Sequence, residues 1–209
     1  MAIAFIKKID TNRQIGCWEI SESDSQSFKN TSDKSILSFI AHSDPTEKRK
    51  REVIAVRLLL QQMTSSNETI SYYPDGSPFL ESHNFHLSIS HSKDFAALYL
   101  SKYDRVGVDI QIIKSSVLKG LDFYINETEK RWVDISDKIQ LNLIWSAKES
   151  IFKFYGDAHL DFKQNIKINP FETEQFGTLV AYIENTNQLL QVQVAYEIME
   201  NYVLTWTLT

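Results

Sequence analysis

Nine residues, Trp145-Ser146-Ala147-Lys148-Glu149-Ser150-Ile151-Phe152-Lys153, carry charges where a helix should bury oil. Leu141, Ile144, Trp145, Lys148, Ile151, Phe152 and Tyr155 recur at the i, i+3, i+4, i+7 spacing of one buried stripe. Lys148 falls in the middle of it. A charge in such a stripe costs free energy unless it is paired, so Lys148 needs either another side chain or a ligand. It can also snorkel along its methylenes to water. Glu149 and Lys153 lie one helical turn apart beside the stripe. Their spacing is that of an ordinary surface pair, worth about 0.2–0.5 kcal/mol.

Three other stretches hold groups that could do chemistry. In Gly107-Val108-Asp109-Ile110-Gln111, strand alternation puts Val106, Val108, Ile110 and Ile112 on one face and Gly107, Asp109 and Gln111 on the other. An acid in mid-strand is unusual; it marks either a solvated outer face or a site. The glycine before it permits close approach of a ligand or another backbone. Ser90-His91-Ser92 ends a strand. Its donors could hold a phosphate, or it is a plain turn. A Ser–His hydrolase fits less well, because adjacent side chains on a strand point apart and no G-x-S-x-G elbow is present. Lys48, Arg49, Lys50, Arg51 and Arg57 form the densest basic run, a solvated helix face or a wall for phosphates.

The elements that must carry these residues read as follows. Ile3 to Ile9, Ile15 to Ile20, Phe85 to Ser90, Phe95 to Ser101 and Val106 to Ile113 have strand patterns, with His91-Ser92-Lys93-Asp94 as a connection. Helices are predicted over Ser32 to Ala41, from an N-cap at Asp44 with Pro45 at the first position to about Met63, over Glu127 to Val133, and over Ile139 to Tyr155. Val53, Val56, Arg57 and Leu60 share one side of the second. Tyr73-Pro74-Asp75-Gly76-Ser77-Pro78 is a turn cluster. The tail is β-rich: Gly177 to Ile183, Leu189 to Ile198 and Tyr202 to Leu208.

Thr-Glu-Lys-Arg occurs at Thr46 to Arg49 and again at Thr128 to Arg131, each before a helix with a cation among apolar residues. Ile15-Gly16-Cys17-Trp18 parallels Val106-Gly107-Val108-Asp109. The matching order predicts a duplicated α+β unit, with a site in the cleft between two halves.

Size and composition narrow the classes. The chain has 209 residues, 43% hydrophobic and 23% charged, enough for one core or two small subdomains. A net charge of −5 gives no bulk support for nucleic-acid or anionic-membrane binding, so any polyanion site must be local. The single cysteine, Cys17, excludes an internal disulfide and a cysteine-based metal cluster, and fits a reducing cytoplasm. No apolar run reaches membrane-span length, and the first ten residues do not read as a signal peptide.

Together, Ser90-His91-Ser92, Gly107-Val108-Asp109 and the W-x-x-K-E-x-x-x-K helix resemble, in order and spacing, the 4′-phosphopantetheinyl transferase superfamily. The long, monomeric type that modifies carrier proteins is the nearer likeness. The resemblance covers roughly residues 40 to 160 and takes in the Asp75-Gly76-Ser77-Pro78 turn. It implies an α+β fold of two similar α/β subdomains related by a pseudo-twofold, residues 1–104 and 105–209, with the active site in the cleft between them. It implies transfer of 4′-phosphopantetheine from coenzyme A to a serine of an acyl or peptidyl carrier protein, in the cytoplasm, by a monomer without nucleic-acid or membrane partners. Asp109, Glu149 and Gln111 would surround a Mg²⁺. Lys48, Arg51, Arg57, Ser90, His91 and Lys153 would bind coenzyme A. Glu149, Lys153 and His91 would be catalytic, with Glu149 receiving the serine proton. Lys148 and Trp145 would support the helix. Two positions depart from the family pattern: Gln111 stands where many relatives have a second acid, and Ser77 where a lysine is frequent. These departures keep open an alternative, a non-catalytic module of the same fold that binds coenzyme A or a carrier protein.

Overall fold

The computed structural model describes residues 3–21, 46–185 and 188–208. The helix expected over Ser32 to Ala41 lies outside them, as do Asp44 and Pro45. The chain divides into two compact units, Met1–Arg105 and Val106–Thr209.

In the first unit, β1 (Ile3–Lys8), β2 (Arg13–Glu19), β5 (His86–Ser92) and β6 (Phe95–Ser101) form an antiparallel sheet in the order β1-β2-β6-β5. Helix α1 (Glu47–Thr64) packs on β2 and β6, and the short hairpin of β3 (Ile70–Tyr72) and β4 (Pro78–Leu80) follows it. Ala55, Val56, Leu59, Leu60 and Met63 supply the helix side of this core; Trp18, Ala96, Leu98 and Leu100 supply the sheet side. Gly16 is where the two meet: a Cβ there would lie 2.9 Å from Leu59 and 2.8 Å from Met63. The helix begins two residues later than an N-cap at Asp44 with Pro45 at the first position would put it. Thr46 is the cap, its hydroxyl accepting from the Arg49 amide at 3.3 Å.

The second unit is a five-stranded antiparallel sheet in the order β7-β11-β10-β9-β8, with β7 at Val108–Ile112, β8 at Ile166–Ile168, β9 at Phe176–Asn185, β10 at Gln188–Met199 and β11 at Tyr202–Thr207. After β7 come a 3₁₀ turn at Ser115–Gly120, the short helix α2 (Leu121–Tyr124), a second 3₁₀ turn at Glu129–Arg131 and the long helix α3 (Lys138–Tyr155). Asp137 caps α3 by accepting from the amides of Ile139 and Gln140, and Gly156, at φ 71°, closes it in the left-handed conformation. α3 lies on β7, β11 and β10. Its Leu141, Ile144, Ala147 and Ile151 pack into a core with Ile166, Leu179, Ala181, Val192, Val194 and Val203.

The helix expected over Glu127 to Val133 is instead a single 3₁₀ turn. Asn126 accepts from the amides of Thr128 and Glu129, which tightens the chain into a turn, and the Glu129 side chain folds inward. The repeated tetrapeptide therefore does different work in its two copies. Thr46 starts α1 and Glu47 is exposed against Lys50, whereas Glu129 is fully buried. The units do share connectivity: β2 leads into α1 and pairs with β6, the last strand of its unit, while β7 leads into α3 and pairs with β11, the last of its own.

Candidate active site

Asp109 does not sit on a solvated outer face. It is 7% exposed, because α3 covers the face of β7 that it shares with Gly107 and Gln111. The fit is a matter of pitch. Two residues of strand advance about 6.6 Å and four residues of helix about 6 Å, so alternate strand residues meet every fourth helix residue. Gln111 meets Asn142, Asp109 meets Ser146, and Gly107 meets Ser150. Gly107 is required by the last contact: a Cβ would stand 1.8 Å from the Ser150 carbonyl oxygen. Asn142, Ser146 and Ser150 are fully buried. Their four-residue spacing beside the W-x-x-K-E run was the sequence signal for this seam.

This approach gives the Asp109 carboxylate two donors. Ser146 Oγ donates to Oδ2 at 2.9 Å and Lys153 Nζ to Oδ1 at 2.9 Å. Lys153 also donates to the Val108 carbonyl at 2.9 Å and keeps a quarter of its side chain exposed. The Glu149–Lys153 spacing thus does not make a surface pair; the lysine reaches across to the strand. Glu149 is half-buried and forms no hydrogen bond or ion pair among the described residues. Burial, and next the Asp109 charge, hold its carboxyl above the ordinary glutamate value, with Lys153 opposing. Gln111 turns its amide nitrogen to the Asn142 carbonyl at 3.1 Å and the Asn142 side chain at 3.4 Å.

Lys148 is answered by protein. Its ammonium donates to Glu129 Oε2 at 2.8 Å and to the carbonyls of Tyr124, Phe162 and Ile166, the last two at 2.9 Å. Glu129 in turn accepts from the amides of Asn126 and Ile168, both at 2.9 Å. Burial lowers the lysine's proton affinity and Glu129 raises it, with burial the larger effect. Trp145 packs edge-on against Tyr124 at 5.2 Å and tilted against Phe162 at 5.4 Å. Both residues are supports for α3.

Among the described residues no group of three or more His, Cys, Asp or Glu side chains is placed to hold a metal. Asp109 and Glu149 nevertheless fit a Mg²⁺ that takes its other oxygens from phosphates and water, the usual form of such sites. Glu149 is the observation that carries the fit. It is half-buried, the Asp109 charge raises its proton affinity, and a cation would offset both charges.

In the first unit, Arg49, Glu52, Val53, Val56 and Arg57 share one side of α1 and line a pocket of about 180 Å³ with Tyr72, Gly76, Pro78, Ile89 and His91. Arg57 and His91 are therefore brought together. Lys48, Arg51 and Ser90 do not line this pocket: Lys48 stands one turn before Glu52, 3.7 Å from its carboxylate, Arg51 lies on another face of α1, and Ser90 alternates with His91 to the opposite side of β5. Arg49 belongs to the basic run but not to the expected coenzyme A contacts, and Glu52 to neither, though their spacing with Arg57 is the sequence signal for both. Arg49 Nη1 is 2.6 Å from His91 Nε2, and Glu52 Oε2 is 3.5 Å from His91 Nδ1. A guanidinium only donates, so Nε2 is the bare nitrogen and the imidazole proton is on Nδ1, toward Glu52. Ser77 is spent locally, its amide and hydroxyl both donating to Asp75 at the β3–β4 turn.

The second unit is thus an antiparallel sheet covered by a helix, with Asp109, Glu149 and Lys153 gathered at their seam. Residues 105–207, which cover nearly all of the second unit, match the family model of the 4′-phosphopantetheinyl transferase superfamily. The Gly107-Val108-Asp109 and W-x-x-K-E-x-x-x-K motifs lie within the matched residues, and phosphopantetheinyl transfer in general is the activity the match supports. No curated protein matches the chain. No helix among the described residues is long and apolar enough to cross a membrane.

Proposed function

We propose that this chain transfers 4′-phosphopantetheine from coenzyme A to a serine of an acyl or peptidyl carrier protein, releasing adenosine 3′,5′-bisphosphate. The observation that carries the reading is the Asp109–Glu149 pair in a unit that matches the superfamily. Asp109 and Glu149 would hold Mg²⁺, with Gln111 beside them through its amide oxygen. When bound, the metal supplies positive charge to offset that on the pyrophosphate.

The residues of the chain do the rest. Lys153, tethered to Asp109, has a further proton to offer a phosphate oxygen. Arg57 and Arg49 offer donors and positive charge to the phosphates of the nucleotide end, with His91 held beside Arg49, and Lys48, Arg51 and Ser90 are further coenzyme A contacts outside the pocket. The carrier serine oxygen bonds to the β-phosphorus as the bond from that phosphorus to the bridging oxygen breaks. The electron pair leaves with adenosine 3′,5′-bisphosphate, and the serine proton passes to Glu149. The exposed Leu118 and Phe123, with Lys114 and Lys119, form the docking surface we assign to the carrier protein. We infer further that the protein acts as a monomer in the cytoplasm, and that its two units are copies of one ancestral α+β unit.

A second reading has one observation in its favour. Gln111 gives its amide nitrogen to Asn142 where a third acid would add charge, which suits a module that binds coenzyme A without turning it over. Incubation with coenzyme A, Mg²⁺ and an apo carrier protein, followed by intact mass, separates the two. A gain of one phosphopantetheine on the carrier supports transfer. An unchanged carrier with coenzyme A bound to this chain supports the module.

A further inference from the structure

The seam between α3 and the sheet holds three hydroxyls that no reading of the reaction has used. Ser146, Ser150 and Thr205 are all fully buried. Thr205 sits on β11 directly across from Asp109 in the strand register. Ser146 Oγ lies 3.0 Å from Thr205 Oγ1, and Thr205 Oγ1 lies 2.6 Å from Ser150 Oγ.

Counting protons fixes the direction of this chain. An ionised carboxylate only accepts, so the Ser146 proton goes to Asp109 Oδ2. The contact between Ser146 and Thr205 is then donated by Thr205, which shares its proton with the Ser146 carbonyl at 2.9 Å. The contact between Thr205 and Ser150 is donated by Ser150, which shares its proton with the Thr205 carbonyl at 3.0 Å. All three dipoles point toward Asp109, and donors arranged in line polarise one another. If the seam needed only to be filled, alanine and valine would fill it without buried hydroxyls to satisfy. The hydroxyls end on one carboxylate oxygen while Lys153 donates to the other, so both oxygens are held in one rotation.

We propose that Ser146, backed by Thr205 and Ser150, is a positioning residue that fixes the rotation of the Asp109 carboxylate for cation binding. The inference rests on the proposed function only in taking Asp109 as a metal ligand. Partners that orient a ligand in this way commonly change metal affinity about 10- to 100-fold when removed.

The test is Mn²⁺ binding with coenzyme A present, followed by electron paramagnetic resonance, in wild type, Ser146→Ala and Thr205→Val. Ser146→Ala is expected to weaken Mn²⁺ at least about tenfold while the metal-free protein melts within a few degrees of wild type. Thr205→Val, which keeps the volume and removes the middle hydroxyl, should act in the same direction by a smaller factor. It stands as the readout if Ser146→Ala does not fold. Wild-type affinity in the variants overturns the proposal. If wild type binds no Mn²⁺, the metal reading of the site fails by itself. The positioning role is then decided by crystals of metal-free wild type and Ser146→Ala: a rotated Asp109 carboxylate supports it, and an unmoved one overturns it.

Discussion

Lys148 puts its ammonium among four oxygens, and Glu149, the next residue, puts its carboxylate beside another carboxylate. The two therefore respond to substitution in opposite ways. Lys148→Met leaves Glu129 buried without its cation, a loss of about 3–5 kcal/mol by urea denaturation. Glu129→Gln added to it should recover a large part of that loss; an additive double mutant would show that the two charges are not coupled. Glu149→Gln should stabilise the metal-free protein at pH 7. Glu149 keeps its proton to higher pH in the native state than the ordinary value of 4.5, so stability falls as pH rises through that window. The full cost is present above it. The melting-temperature gain of Glu149→Gln should thus be largest at neutral pH and vanish below pH 4.5, and Mg²⁺ should raise the melting temperature of wild type but not of the variant. Equal melting curves at pH 7 would contradict this. Gln111→Glu adds an acid on the face of β7 that carries Asp109 and should lower the Mg²⁺ concentration needed for half-maximal transfer; an unchanged requirement would mean that the position does not see the metal.

Helix α3 and strand β7 work as one element because Gly107 lets them touch. Gly107→Ala forces a methyl group against the Ser150 backbone, which cannot rotate away as a side chain could. The expected cost is at or above about 3 kcal/mol, the upper end for overpacking, read by denaturant melts; a variant as stable as wild type would mean the seam is looser than this. Much at this scale was legible in the sequence. The 3.6-residue period of Leu141 to Tyr155 and the alternation of Phe95 to Ser101 give α3 and β6 nearly to the residue. Local patterns failed where long-range partners decide. Glu129 reads as one letter of a polar Thr-Glu-Lys-Arg run, yet it is fully buried because Lys148, 19 residues on, needs it. The Arg49–His91 contact spans 42 residues and leaves no periodic trace. The strands β3, β4 and β8, three residues each, are too short to show alternation.

Across the whole molecule, an acidic chain of net charge −5 is assigned a polyanionic substrate. The reconciliation is local: Arg49, Arg57 and His91 around one pocket of the first unit, and Lys153 on the acid pair of the second. What was visible at this scale from sequence was the order of three motifs; the pairing of Asp109 with Ser146 and Lys153 needed the sheet and helix brought together. The most direct measurement is the initial rate at which an apo carrier protein gains phosphopantetheine, for wild type and Asp109→Ala, each with Mg²⁺ and with a chelator. Wild type is expected to transfer only with Mg²⁺, and Asp109→Ala, still folded by circular dichroism, to lose at least about a hundredfold. Transfer by Asp109→Ala at the wild-type rate, or transfer by wild type that the chelator does not touch, would contradict the account.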